Sequence, residues 1–127
     1  MSSDPLADFL SSLSNASRAG KRELVAPYSR LKRDVAQVLK EEGYIEQVEV
    51  IYQDDKPFVR VVLKPPGVIT KIQRVSKPGL RRYVGAQCIP RVLGGMGICI
   101  LSTSKGVMAG HKAKRLRVGG ELLAMVY

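Results

Sequence analysis

Hydrophobic spacing divides this chain into two stretches of different character. Leu6, Phe9, Leu10 and Leu13 recur at three- and four-residue intervals, which predicts an amphipathic helix opened by Asp4 and Pro5, with Ser3 as its cap, and fraying near Ser17–Gly20. A short strand is expected at Glu23–Ala26, ahead of Pro27. Ser29 then caps a second helix, whose stripe is Leu31, Val35, Val38 and Leu39 and whose left-handed stop is Gly43. Ile45–Tyr52 alternates as a strand with Val48, Val50 and Tyr52 on one side. The turn residues Gln53-Asp54-Asp55-Lys56-Pro57 lead into a second hairpin arm, Phe58–Leu63.

Pro65-Pro66-Gly67 cannot continue a ladder and marks an internal boundary. Beyond it the pattern is glycine-rich and the strands are short. Ile69–Val75 and Arg82–Gly85 are strand candidates flanking the basic turn Ser76–Arg81. One helical turn is expected at Ile89–Leu93, before Gly94-Gly95-Met96-Gly97, and a buried strand at Ile98–Leu101. A short helix over Ala109–Leu116 and a last strand over Glu121–Tyr127 complete the reading. The fold class is α+β with two small subdomains. Residues 1–64 read α-β-α-β-β, and residues 65–127 read as mostly β with short helices.

Charge sharpens the division. The 127 residues carry a formal net charge of +10. Residues 1–70 hold ten Lys/Arg and ten Asp/Glu, whereas residues 71–127 hold eleven Lys/Arg against a single acid, Glu121. The whole excess therefore lies in the second half, and a polyanion, nucleic acid first, is the partner such a field selects. The N-terminal Met-Ser-Ser-Asp lacks the basic start of a secretory leader, and no apolar run approaches a membrane span, so no membrane partner is expected. Cys88 and Cys99 are too few and too far apart for a thiolate metal motif and read as buried reduced thiols. His111 alone offers no metal site. No metal, cofactor or small-molecule substrate is called for.

Against that background Ser102-Thr103-Ser104-Lys105-Gly106 stands out. Its hydroxyls can donate or accept without full charge, which suits irregular base edges and ribose 2′-hydroxyls. Lys105 would neutralise a phosphate, and Gly106 would let the backbone approach closely. The same residues also serve as ordinary turn and cap formers. Ser102-x-x-Lys105 literally matches an acyl-enzyme nucleophile motif, but its companions Ser-Asp-Asn and Lys-Thr-Gly are absent and the chain is too short for that fold. An enzyme is not expected.

Arg81-Arg82-Tyr83 interleaves cations with a ring that can stack on an unpaired base. Lys112, Lys114, Arg115 and Arg117 form a cationic run, either a polyanion contact or a solvated helix face. In Gly119-Gly120-Glu121 the acid is either an internal partner for an arginine or an acceptor for base amino groups. The polar face of the second helix carries Arg30, Lys32, Arg33 and Lys40, by default a solvated surface.

These residues resemble the family of the eighth small-subunit ribosomal protein, in its bacterial type. The resemblance runs through Asp4-Pro5-Leu6-Ala7-Asp8, Val38–Ile45, Arg74–Arg81, Gly97-Ile98, Leu101–Met108 and Gly119-Gly120-Glu121. It implies a non-enzymatic, cytoplasmic ribosomal protein that binds the central domain of small-subunit rRNA at an irregular hairpin and supports assembly, next to neighbouring small-subunit ribosomal proteins. It also implies an RNA site in the second half, at Ser102–Gly106 with Tyr83, Arg81, Arg82, Gly120 and Glu121, and backbone contacts from the first half, where Arg30 and Lys32 are the candidates. Two segments depart from the family. Leu10-Ser11-Ser12-Leu13-Ser14-Asn15 lacks two cations usual in the first helix, unless Arg18, Lys21 or Arg22 substitute, and Ala109-Gly110-His111 lacks the usual helix cap and acid. The rival reading is a general basic nucleic-acid chaperone without a preferred site.

Overall fold

The computed structural model describes residues 4–127, so the Ser3 cap lies outside the described residues. The chain forms two compact units, Leu6–Ile69 and Thr70–Tyr127, the second also taking in Asp4 and Pro5. The division falls just past the Pro65-Pro66-Gly67 turn.

In the first unit, α1 (Pro5–Arg18) buries Leu6, Phe9, Leu10, Leu13, Ala16 and Ser17. After it come β1 (Glu23–Pro27), α2 (Arg30–Glu41), β2 (Ile45–Gln53) and β3 (Lys56–Leu63). The strands form an antiparallel sheet in the order β1-β3-β2. Helix α2 starts where the sequence predicts, because the Ser29 hydroxyl accepts the Lys32 N–H at 3.1 Å. It packs on β2 and β3 and buries Val35, Ala36, Val38 and Leu39, but Leu31 is only partly covered. Lys32 takes the buried place instead, its ammonium donating to the Pro27 carbonyl at 3.1 Å while its stem lines the interior.

Central strand β3 buries Val59, Val61 and Leu63 on one face. The register sets Val48 opposite Val61 and Val50 opposite Val59, so the predicted Val48–Val50–Tyr52 face is real. Its cover does not reach the hairpin end, where Tyr52 is 71% exposed. On the opposite face Arg60 bridges Glu23 and Glu49 on the two flanking strands.

The second unit is a five-stranded sheet with short helices, a mixed fold in which β-structure dominates. Its strands are β4 (Ile72–Arg74), β5 (Tyr83–Val84), β6 (Ile98–Thr103), β7 (Gly106–Ala109) and β8 (Gly120–Val126), with α3 at Gly110–Leu116. Strand β8 is the hub, pairing with β4, β5 and β6, while β6 pairs with β7. One face of this sheet carries Leu101, Met108 and Leu122, which cluster with Ile89, Val92, Cys99 and Ala113 of α3. Arg74, nearly buried, pairs with Asp4 at 3.2 Å and donates to the Leu123 carbonyl, so Asp4 works as an ion-pair partner of this unit.

Four expectations need correction here. The strand placed at Ile69–Val75 shrinks to Ile72–Arg74. The helical turn at Ile89–Leu93 is instead two 3₁₀ turns, Ala86–Cys88 and Val92–Gly95, with Ile89 extended between them. Cys88 is exposed, and only Cys99 is a buried thiol. Gly106–Ala109, where no strand was expected and whose Ala109 was placed in the following helix, is strand β7.

The β2–β3 hairpin turns on Asp54 and Asp55, both left-handed at φ 51° and 62°. Such a two-residue turn matches the twist of its strands but strains a residue with a Cβ, and its second position favours glycine. Asp55→Gly is therefore expected to raise stability by about 0.5–1 kcal/mol in chemical denaturation.

Candidate nucleic-acid interface

The register of the second sheet assembles the site. Tyr83 on β5 lies opposite Glu121 on β8, Glu121 opposite Ser102 on β6, and Ser102 opposite Val107 on β7. Directly paired residues point to the same side of a sheet. Tyr83, Glu121 and Ser102 thus share one face, the one turned away from the Leu101–Met108–Leu122 core. Tyr83 is 71% exposed. Gly120 makes the row possible, since a Cβ there would drive into the Ser102 carbonyl. Its part in the site is backbone approach between strands.

The hydroxyl run closes the β6–β7 hairpin. Thr103 pairs with Gly106, leaving Ser104 and Lys105 as the turn. Neither takes a positive φ; the left-handed step falls on Gly106, at φ 111°. The Thr103 hydroxyl donates to the Gly106 carbonyl at 2.8 Å and accepts the Lys105 N–H at 3.1 Å. It is committed to the turn. The Ser102 and Ser104 hydroxyls have no hydrogen-bond partner among the described residues, and Ser104 and Lys105 are exposed.

Both alternatives for Glu121 can now be weighed. Its Oε2 accepts from the Ser76 hydroxyl at 2.5 Å and from Arg81 Nη1 at 2.9 Å, so it is an internal partner for an arginine. Burial by itself pushes this carboxyl up. The hydrogen bonds from Ser76 and Arg81, with the charges of Arg81 and Arg74, outweigh it and hold the carboxyl below its ordinary value. Arg81 is correspondingly raised, by the hydrogen bond to Glu121 above all. The Arg82 backbone N–H donates to the Ser76 hydroxyl at 3.1 Å, while its side chain is exposed.

The cations of α3 stand apart from this row. The helix packs on β6, β7 and the Ala86–Cys88 turn, on the core face of the sheet. Lys112, Lys114, Arg115 and Arg117 are exposed there. Lys114 and Arg117 line a shallow groove with Ala86 and Gln87. The start of α3 at Ala109 has no side-chain cap.

Arg30 and Lys32 belong to the other compact unit. Arg30 is exposed and loosely paired with Asp34 at 3.8 Å. Lys32 is buried on Pro27, so its ammonium serves the fold. Ser76 is the site residue that sequence reading missed. It is wholly buried, and its only sequence signal is its place at the head of the Lys77-Pro78-Gly79 turn, where serine caps backbone groups.

This geometry coincides with a family-wide match. The profile of ribosomal protein S8 covers residues 4–127. The chain belongs to the ribosomal protein S8 family. It is 56% identical over 128 residues to the small ribosomal subunit protein uS8 of Methylacidiphilum infernorum, covering all of both chains. It is 52% identical to the uS8 of Methylococcus capsulatus, over 98% of this chain and 97% of that one. With the uS8 of Koribacter versatilis the identity is 47%, over 100% of this chain and 98% of the relative. Family membership makes it a structural ribosomal protein that binds rRNA, with no enzymatic role. No helix among the described residues is long and apolar enough to cross a membrane.

Because the folded carboxyl of Glu121 titrates below an unfolded one, its stabilising share is fully present above the unfolded value, roughly pH 4.3. That share is lost as pH falls through the lower folded value. Glu121→Gln is expected to flatten the acid limb of a stability–pH curve measured by denaturant midpoint, with a smaller effect of pH above about 5.

Proposed function

We propose that this S8-family protein recognises an irregular internal loop in a hairpin of the central domain of small-subunit rRNA and supports subunit assembly. One observation carries the reading. The Tyr83–Glu121–Ser102 row lies on a single face, next to a turn whose Ser104 hydroxyl and Lys105 ammonium are exposed.

In this reading Tyr83 stacks on an unpaired base, a contact worth about 1–3 kcal/mol. The Ser102 and Ser104 hydroxyls meet base edges or 2′-hydroxyls that a regular A-form helix does not present. Lys105 and Arg82 neutralise phosphates, which positions the RNA without selecting its sequence. Thr103, Gly106 and Gly120 hold the shape of the site, and Arg81 holds Glu121. The α3 cations lie on the other face and supply affinity for RNA backbone of any sequence. The Thr70–Tyr127 unit is thus the principal RNA-binding region. The Leu6–Ile69 unit adds backbone contacts through exposed cations such as Arg30, with Lys32 excluded by burial. The protein acts in the cytoplasm, on the ribosome, beside other small-subunit proteins. A general nucleic-acid chaperone would show the same steep salt dependence but no preference for an irregular loop.

Binding of the isolated chain to the irregular hairpin and to a fully paired version, at fixed salt, separates the two. Ser104→Ala is expected to cost roughly 1–2 kcal/mol, about 5- to 30-fold, on the irregular hairpin and little on the paired one. A fall of both affinities alike would show that the turn is no reader. Lys112→Ala should weaken both about equally and reduce the slope of log K against log salt by about one.

A further inference from the structure

The one buried hydroxyl at this site never reaches solvent, yet it touches two parts of the interface. Ser76 has no exposed surface, so no ligand can contact it. It follows β4 and is fixed through its own backbone, whose N–H donates to the Leu122 carbonyl at 3.0 Å. Its Oγ accepts the Arg82 N–H at 3.1 Å and lies 2.5 Å from Glu121 Oε2. An ionised carboxylate has no proton to give, so the serine proton must point at Glu121. Arg81 supplies a second donor to the same oxygen at 2.9 Å. Among the described residues no hydrogen bond reaches Oε1.

We propose that Ser76 is a positioning residue for RNA selectivity: it pins Oε2 of Glu121 so that Oε1 faces a hydrogen-bond donor on an unpaired nucleotide. The assignment rests on the reading of this face as the RNA site. The donor is a base amino or imino N–H or a ribose 2′-hydroxyl. A phosphate offers only acceptors and a like charge, so the carboxylate rejects it. The same serine holds the peptide N–H of Arg82, immediately before the exposed ring of Tyr83. A single buried group therefore sets both the acceptor and the backbone that carries the stacking ring. A paired duplex keeps its base donors occupied, so the pinned oxygen discriminates against it.

The test is a double-mutant cycle in the full chain, reading the ratio of affinities for a hairpin with the irregular internal loop and for its fully paired version. Ser76→Ala and Glu121→Ala should each lower the ratio about tenfold, and the double variant should lower it no further than either alone. A merely structural serine would depress both affinities together, with the melting temperature, and leave the ratio unchanged. That result overturns the assignment, as does a double variant whose losses add. If the wild-type chain itself fails to discriminate, the reading of the RNA face falls and this assignment with it. If the wild type discriminates and Ser76→Ala still does, only this assignment falls. Should the alanine variant not fold, Ser76→Cys fills similar space with a weak donor; retention of the wild-type ratio would overturn the proposal, and its loss supports it.

Discussion

A carboxylate placed amid cations, on the strand that joins three others, is the constraint around which the second unit is built. Glu121 is the only acid from residue 71 onward, and it sits on β8, between β5 and β6. Partial burial there works against its charge; two donors on one oxygen and two nearby guanidiniums overcome that cost. Arg81 is drawn to the acid from a turn closed by the Lys77–Leu80 bridge and by the Arg82 N–H on the Ser76 hydroxyl. The acid thus adds a side-chain tie to the segment that carries Arg82 and Tyr83, which backbone bonds to β8 also hold. In a field this positive, one neutralised carboxylate does not repel a polyanion at range. In the proposed reading it still distinguishes, at contact distance, a donor from a phosphate.

The sheet then separates two kinds of chemistry by its two faces. Alternation along β6 sends Leu101 to the α3 side and Ser102 to the other, so the Ser102 hydroxyl and the helix cations are kept apart. Gly120 lets β8 approach β6 closely enough for Glu121 and Ser102 to stand as neighbours. Polar recognition is held on rigid strand backbone, whereas the lysines and arginines of α3 stand on flexible stems in solvent. That division suits the proposed role, in which affinity comes from phosphates and selectivity from shape.

How much of this was legible in the sequence depended on the range of the forces involved. Both long helices and the Ser29 cap follow from local spacing and turn chemistry and stand where these put them, while the turn expected over Gln53–Pro57 narrows to Asp54-Asp55, with Lys56 and Pro57 opening β3. Strand β7 did not, because Gly106–Ala109 is only four residues long and its partner is set by a turn that reads equally well as a loop. At Ile89–Leu93 the apolar spacing suggested a helical turn, but Leu93 and Gly94 are left-handed, and Arg91 closes the turn on the Gly94 carbonyl at 3.0 Å. Lys32 was placed on a solvated face by its type, while a carbonyl five residues back offered it a buried partner. Ser76 shows the same limit from the other side. Its partner Glu121 lies 45 residues on, brought beside it by the sheet, which no local window contains.

The serine-rich middle of helix α1 bears on the contacts proposed for the first unit. Helix α1 carries Ser11, Ser12 and Ser14 along its middle, so that stretch offers no cation to a phosphate. Arg18, Lys21 and Arg22, all exposed, cluster instead at its C-terminal end and just beyond. Cations there are favoured by the helix dipole, which makes their placement stable without any ligand. The backbone contacts proposed for this unit then fall to the helix end, where three exposed cations lie close in sequence. In the proposed reading such contacts supply charge rather than geometric precision, and selectivity is left to the row on the second sheet.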